Sequence, residues 1–439
     1  MAKTRKIKDL NVWMNGELVG RWSNFSKGIH EFRYYDSWLE SVNTRPLSLS
    51  LPLVSENVSY KGAVVENYFD NLLPDSVEIR RRIQNRFSAN STEPFDLLAQ
   101  IGRDCVGAVQ LLPVGALPEE IVTINSKPLD EEEVSRIIKS VTASPFPGIR
   151  ENEHFRISVA GAQEKTAFLL NNGKWSIPLG STPTTHIFKL PLGKIMGADL
   201  STSIENEWLC SKITKAFGIE SAESEIGVFK DQKVLVVKRF DRAFSADNRW
   251  ILRLPVEDMC QVTATSPFQK YETDGGPGIE AIMKILLGSK NSSKDRHTFF
   301  KTQILFWMLA APDGHAKNFS IFLEKQGGYR LAPIYDVISV YPVMGKRSFE
   351  IAPEKLRMAM AVTGKNRHYD WMKINKRHWQ ATASRCGALN FVEEIITELV
   401  EKTPHVINEV SKILPPDFPG TVSDKIFEGL EKAAKVFHA

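Results

Sequence analysis

The stretch that most restricts how this 439-residue chain can fold runs from Phe299 to Asp336. Its first part, "FFKTQILFWMLAA" (299–311), is apolar on most faces, which predicts a buried helix. Pro312 ends that helix because it removes a backbone donor and clashes with the preceding turn. "FSIFL" (319–323) reads as a short buried strand, "EKQGGY" as a Gly-Gly turn, and "RLAPI" (330–334) as a returning strand that delivers Tyr335 and Asp336. Folding the hairpin about Gly327 pairs Asn318 with Asp336 across its mouth, roughly 5 Å apart at Cα. Asp313 lies on the loop leading in, five residues before Asn318. Three oxygen-bearing side chains are therefore expected to converge between two buried elements. The plain alternative is a polar turn whose Asp and Asn cap backbone groups.

An Asp-x-x-x-x-Asn spacing alone carries little weight in a chain this long. Its context carries more: buried helix, loop, strand, turn, strand, acid. Protein kinases build this order. One Asp accepts the substrate hydroxyl proton, while an Asn five residues on and an acid after the next hairpin hold Mg2+ on the nucleotide phosphates. Hard oxygen ligands suit Mg2+, which keeps several waters and takes only one or two protein carboxylates.

Such a site needs a cation for the phosphates. In "THIFKLP" (185–191), Lys189 shares a strand face with Ile187, while Phe188 and Leu190 point the other way. Glu205 and Glu207 open the helix that follows, and Glu207 is the expected partner that orients the ammonium. An exposed edge-strand lysine is the alternative. "VLVVKRFDR" (234–242) runs from an apolar strand into a polar link, where the backbone of Lys238, Arg239 and Phe240 would meet an adenine; an ordinary linker fits as well. No Gly-x-Gly-x-x-Gly loop precedes the lysine. "ISVAGAQEKTAFLL" (157–170) stands there instead, with small residues Ala160, Gly161 and Ala162 that let backbone N–H groups approach phosphates. Ser158 in that segment presents a hydroxyl whose role chemistry alone does not assign.

Along the chain, residues 1–115 read as an N-terminal α/β subdomain. It holds a hairpin at Asn15-Gly16, a half-buried strand in "RPLSLSLPL" (45–53), helices around "VVENYFDNLL" and "SVEIRRRIQNRF", and a loop and strand in "GRDCVGAVQLLP". Uneven acidic sequence from Glu119 to Glu153 reads as a connecting region. Residues 150–245 form a strand-rich core: "FRISVAG", a hairpin at Asn172-Gly173, "THIFKLP", "EIGVF" and "VLVVKRF", interrupted by a helix from Ile204 to Phe217 that Gly218 ends. Residues 250–439 are expected to be mostly helical apart from the hairpin.

A hydrophobic share of 42%, a charged share of 25% and a net charge of +4 belong to an ordinary globular protein. The four cysteines lie far apart with no Cys-x-x-Cys spacing, which argues against a zinc site and for a reducing compartment. The basic N-terminus lacks an apolar core of signal-peptide length, and no apolar run approaches the ~20 residues that span a bilayer. A cytoplasmic location is expected. "GKNRHYDWMKINKRHWQATASR" (364–385) gathers six Lys and Arg residues against Asp370, with Tyr369, Trp371 and Trp379 interleaved. It suits phosphate contacts on DNA or, equally, a solvated face over core aromatics.

"FRISVAGAQEKTA", "TPTTHIFKLP", "VKRFDR", "RLPVEDMCQ", "YETDGGPGI", "DGHAKNFS" and "YDVIS" resemble the HipA family, as do "RPLSLSLPL" and "FDNLLPDS". These are bacterial serine/threonine kinases that act as toxins of toxin–antitoxin pairs, and the resemblance runs in order over nearly the whole chain. It implies an α+β, bilobal, protein-kinase-like fold with an extra N-terminal α/β subdomain and a mostly helical C-terminal lobe. It further implies ATP and Mg2+ as cofactors.

Residue by residue, Asp313 matches the catalytic aspartate, Asn318 and Asp336 the metal ligands, and Lys189 the ATP-phosphate lysine. Ala160, Gly161, Ala162, Gln163, Glu164 and Lys165 match the phosphate-loop segment, and Lys238, Arg239 and Phe240 the adenine link. His315, Ala316, Lys317 and Asn318, with Tyr335, Asp336, Val337 and Ile338, match the remaining nucleotide contacts. Ser158 matches the family's autophosphorylated serine, whose modification ejects the loop and silences the kinase. Where the adenine link of a relative carries an acid, this chain has Lys238, which leaves backbone contacts intact and puts a side-chain contact to ribose in question. The implied partners are a small helix-turn-helix antitoxin dimer, operator DNA reached through that antitoxin, and a protein substrate such as an aminoacyl-tRNA synthetase. The readings from other classes are a catalytically silent co-repressor scaffold and a small-molecule or lipid kinase of the same fold.

Overall fold

The protein was described from a computed structural model covering residues 8–25, 28–55, 57–142, 163–195 and 197–437. The expected strand "FRISVAG", Ser158, Ala160, Gly161 and Ala162 lie outside the described residues.

Asn15 and Gly16, at φ 47° and 88°, close the turn between β1 (Asp9–Met14) and β2 (Glu17–Asn24), as the Asn-Gly signal predicts. After β3 (His30–Tyr34) come α1 (Asp36–Leu39), β4 (Tyr60–Lys61), α2 (Ala63–Asp70), α3 (Val77–Phe87), α4 (Pro94–Ile101) and β5 (Val109–Pro113). The sheet runs β4-β3-β2-β1-β5. Its core centres on Trp22, which stacks on Phe69 of α2 with ring centroids 3.9 Å apart.

"RPLSLSLPL" is not the strand its alternation suggests. Ser48 accepts a bond from the Ser50 backbone, both serine hydroxyls donate to the Gln261 carbonyl, and the Leu49 backbone donates to the Glu257 carboxylate. The segment is a turn that buries Leu47 and Leu51, held by groups more than two hundred residues away.

The second sheet contains β6 (Ser126–Pro128), β7 (Lys165–Asn171), β8 (Lys174–Pro178), β9 (His186–Lys189), β12 (Ser224–Phe229) and β13 (Gln232–Lys238) in the order β12-β13-β9-β7-β8-β6. A small hairpin, β10 (Gly193–Ile195) with β11 (Ala198–Leu200), and helix α6 (Ser203–Ala216) intervene, and Gly218 at φ 79° follows the helix. The acidic region expected to be a connector instead supplies β6 and helix α5 (Glu131–Thr142). Asp130 and Glu133 form a reciprocal cap at the start of α5: the Glu133 backbone donates to Asp130, and the Asp130 backbone to Glu133. Val134 and Ile138 then pack on Phe168, Phe188, Val234 and Val236 and cover one face of the sheet.

The remainder is less purely helical than expected. Besides the short strands β14 (Arg242–Phe244), β15 (Ile251–Arg253) and β16 (Val256–Asp258), it holds helices α7 (Met259–Val262), α8 (Ile279–Ile285) and α9 (Ser292–Met308). The central hairpin, β17 (Ser320–Leu323) and β18 (Tyr329–Leu331), pairs with β16, and a further hairpin joins β19 (Arg357–Thr363) to β20 (Arg367–Asp370). Helices α10 (Lys376–Arg385), α11 (Leu389–Ser411) and α12 (Gly420–Val436) finish the fold. α9 is buried from Phe299 to Met308, as its all-round apolarity demands. Within the basic stretch 364–385 the tryptophans belong to the interior. Trp379 is buried, and Trp371 exchanges indole-to-carbonyl hydrogen bonds with Trp307.

A buried ionic cluster joins the N-terminal unit to the rest. Asp104 accepts from Arg239, Arg242 and Arg253 and from both the backbone and hydroxyl of Thr184. Asp241 pairs with Arg239 at 2.8 Å and Arg242 at 3.0 Å and accepts from the Gly107 backbone. The carbonyls of Cys105, Gly107 and Ser181 take remaining guanidinium donors. Every charged group in the cluster is buried. Removing one partner from such a network leaves uncompensated charge in a low-dielectric interior. Asp104→Ala is expected to lower stability by about 3–5 kcal/mol, read as a shift of the urea-unfolding midpoint.

His186 on β9 titrates against the fold. Burial, and then the Lys238 ammonium on the neighbouring strand, hold its imidazole down at about 4 from 6.5, against a smaller pull from Glu223. The edge of Trp175 packs on the ring, and the Thr185 hydroxyl meets Nδ1 at 2.9 Å. The folded state thus binds fewer protons than the unfolded chain, so this contribution is complete above pH 6.5 and is lost as pH falls towards 4. His186→Gln should flatten the urea-unfolding stability profile between those pH values by at most about 3 kcal/mol.

Candidate active site

Strand alternation decides where Lys189 points. Phe188 faces α5, so Lys189 faces the opposite side, where α6 and the segment after β18 lie. Its ammonium, buried rather than exposed at an edge, donates to Glu207 Oε1 at 2.5 Å and to Asp336 Oδ1 at 2.5 Å. Glu205, the other acid considered, pairs with Lys233 at 2.7 Å. Burial opposes charge on Lys189, but the Asp336 and Glu207 carboxylates outweigh it and raise its pKa. Asp336 is likewise penalised by burial and held ionised by Lys189 and Lys165, well below the usual carboxylate range. Lys165 lies directly across from Lys189 in the β7–β9 register. Burial and the Lys189 charge bring it down to about 8.

Asp336 itself adopts φ +64°, a left-handed conformation that Asp tolerates better than most residues. The chain around it is anchored by Asn206, whose amide brackets Ser339 with bonds of 2.7 and 2.9 Å, while the Ser339 hydroxyl donates to the Leu309 carbonyl. Adjacent residues of α6 thus hold the lysine, through Glu207, and the segment carrying Asp336, through Asn206.

The loop after α9 presents Asp313 to solvent, with 57% of its side chain exposed. The Tyr271 hydroxyl donates to Asp313 Oδ1 at 2.5 Å. The Asp313 carbonyl accepts from the Asn318 amide at 2.7 Å and the His315 backbone at 2.8 Å. With its amide nitrogen so engaged, Asn318 has its oxygen Oδ1 to offer a cation. His315 is buried, packs edge-on against Tyr271 with centroids 5.1 Å apart, and places Nε2 3.9 Å from Asp313 Oδ2. Burial lowers its pKa, which favours the neutral imidazole.

The hairpin register differs from expectation by two residues: Ile321 pairs with Leu331, so the turn centres on Gln326 and not on Gly327. Gln326 takes φ +61° and Glu324 closes the loop onto Gly328. A shift of two preserves which face each side chain occupies within β17 and β18; Asn318 lies just before β17 in a short helical turn, and Asp336 lies beyond β18. Tyr335 donates to the Lys317 carbonyl at 2.7 Å and meets the Ser320 hydroxyl at 2.6 Å. Val337 is buried and Ile338 half-buried.

The expected adenine link divides by residue. Lys238 is exposed and pairs with Glu223, Arg239 is committed to the ionic cluster, and Phe240 packs against Tyr335 and Phe322. Gln163 donates to the Leu190 carbonyl, and Glu164 pairs with Arg82 of α3 while its carbonyl accepts from the Leu190 backbone. Ala316 is buried, and Lys317 turns its ammonium to Asp75. Sequence reasoning missed Tyr271, Lys270 and Asp75. Their proximity to the loop comes from contacts across 42 to 242 residues, which no local spacing reveals.

Asp336 and Asn318 supply one carboxylate and one amide oxygen, a donor set that suits Mg2+. Among the described residues no three His, Cys, Asp or Glu side chains gather in a metal-holding group, and Mg2+ does not require one.

Residues 157–407 match the HipA-like C-terminal domain and residues 10–112 the HipA N-terminal domain. Y4mE of Sinorhizobium fredii is 31% identical over 415 residues, covering 92% of this chain and 92% of that protein. The serine/threonine-protein kinase toxin HipA of Shewanella oneidensis is 25% identical over 426 residues, covering 94% and 92%. The solved Shewanella oneidensis complex of HipA, HipB and operator DNA contains a chain that matches with a TM-score of 0.80 over 98% of this chain and 97% of that one, at 23% identity. That likeness shows the protein-kinase-like fold. With both family domains present in order and a relative of near-equal coverage at 31% identity, the chain belongs to the HipA family.

Proposed function

We propose that this protein is an ATP- and Mg2+-dependent protein serine/threonine kinase and the toxin of a toxin–antitoxin pair. The observation that carries the reading is the buried Lys189–Glu207 pair with Asp336 on the same ammonium. This arrangement holds a cation and a hard ligand ready for a triphosphate, and a scaffold has no use for it. Lys189, kept in place by Glu207, would orient the phosphates. Asn318 and Asp336 would hold Mg2+, which when bound neutralises charge on the transferring group. Asp313, steered by the Tyr271 hydroxyl and exposed to an incoming substrate, would place and deprotonate the acceptor hydroxyl. Positioning supplies most of the catalysis, because a loose transition state asks for little covalent help.

In this reading Ser158 is the autophosphorylation site, and a charge near −2 there expels the phosphate-loop segment and shuts the kinase off. The substrate is a translation component such as an aminoacyl-tRNA synthetase, so that activity halts growth and favours persistence. The partner is a HipB-like helix-turn-helix dimer that brings the toxin to operator DNA as a co-repressor, in the cytoplasm and at the nucleoid. The exposed Lys365, Arg367, Lys373 and Arg377 would add sequence-blind attraction to phosphates. The Shewanella oneidensis complex of HipA with HipB and operator DNA supports that assembly by analogy.

With [γ-32P]ATP and Mg2+, purified protein should label itself on Ser158. Asp313→Gln should cut that rate at least ~100-fold while ATP still binds. A wild-type protein that labels neither itself nor any protein of a cytosolic extract contradicts the kinase reading and favours the silent co-repressor.

A further inference from the structure

One carboxylate outside the site described above sits where the N-terminal unit meets the catalytic loop. Asp75 precedes Ser76, the N-cap of α3. Its Oδ1 accepts from Lys317 Nζ at 2.7 Å and its Oδ2 from Lys270 Nζ at 2.8 Å. Side-chain exposures of 10% for Asp75, 4% for Lys317 and 14% for Lys270 make this a largely dry contact. Burial pushes the Asp75 carboxyl up, but the two ammoniums more than offset it and leave the group at about 2.

Each lysine adjoins a residue of the candidate site. Lys317 precedes Asn318, and its carbonyl accepts from Tyr335. Lys270 precedes Tyr271, whose hydroxyl holds Asp313, and the Lys270 carbonyl accepts from the Ala316 backbone at 3.2 Å. One carboxylate from the N-terminal unit therefore pins both the loop 313–318 and the segment that braces it. With that charge removed, two buried ammoniums would face each other without their shared counter-ion and would move apart. Tyr271 and Asn318, one bond along the chain, would move with them.

We propose that Asp75 is a positioning residue for phosphoryl transfer, acting through Lys270 and Lys317 to fix Tyr271, Asp313 and Asn318. The N-terminal unit is then part of the catalytic apparatus as well as a neighbour of it. This inference rests on the kinase reading above.

A carboxylate that merely glued two units together would change the melting temperature and leave kcat intact well below it. The test is steady-state phosphoryl transfer by the full-length protein, with melting temperature and ATP KM measured alongside. Asp75→Asn is expected to lower kcat roughly 10- to 100-fold with the KM for ATP within about threefold of wild type. Asp75→Glu, which keeps the charge, should recover most of that loss. A folded Asp75→Asn protein with wild-type kcat overturns the proposal while leaving the kinase reading in place. If Asp75→Asn does not fold, Lys270→Met, which retains the Asp75–Lys317 pair, is judged by the same split in kcat and KM. An inactive wild type refutes the kinase reading and this inference with it.

Discussion

The site depends on a single buried ammonium. Lys189 lies in the middle of a six-stranded sheet, and its charge is tolerated there only because two carboxylates reach it from two other parts of the chain. Glu207 comes from α6, and Asp336 from the segment after the central hairpin. Meeting those two demands fixes the sheet, the helix and the hairpin relative to one another. It also leaves Asp336 ionised and Lys189 charged, the states in which they would take a metal and a phosphate.

A second layer of polar contacts ties the N-terminal unit to this core at several places, the turn at Ser48–Ser50 among them. The buried cluster of Asp104 and Asp241 with Arg239, Arg242 and Arg253 sits behind the link that follows β13. Asp75 reaches the loop 313–318, and Arg82 on α3 reaches Glu164 at the entry to β7. The last two contacts come from residues only seven positions apart, so one short N-terminal segment touches both sides of the candidate site.

Features that depend on neighbouring residues were legible in the sequence. Asn15-Gly16 and Asn172-Gly173 mark hairpins because a tight turn needs positive φ and these residues adopt it at little cost. Alternation in "THIFKLP" told which face Lys189 occupies, and the buried α9 followed from its all-round apolarity. The capping pair Asp130 and Glu133 was equally readable and was hidden only by the acidic run around it. The register of the central hairpin was missed by two residues because Gln326, not a glycine, takes the first positive φ of the turn. The turn at Ser48–Ser50 and the roles of Tyr271 and Asp75 are set by partners far along the chain, and no spacing rule reaches them.

The central claim concerns what Lys189, Asp336 and Asn318 are arranged to receive. A crystal structure of the protein with Mg2+ and a non-hydrolysable ATP analogue addresses it most directly. The account predicts a metal on Asn318 Oδ1 and the Asp336 carboxylate, Lys189 on a phosphate with its Glu207 pair intact, and the γ-phosphate facing Asp313. A nucleotide bound elsewhere, or one that leaves Asp336 without metal, would contradict it.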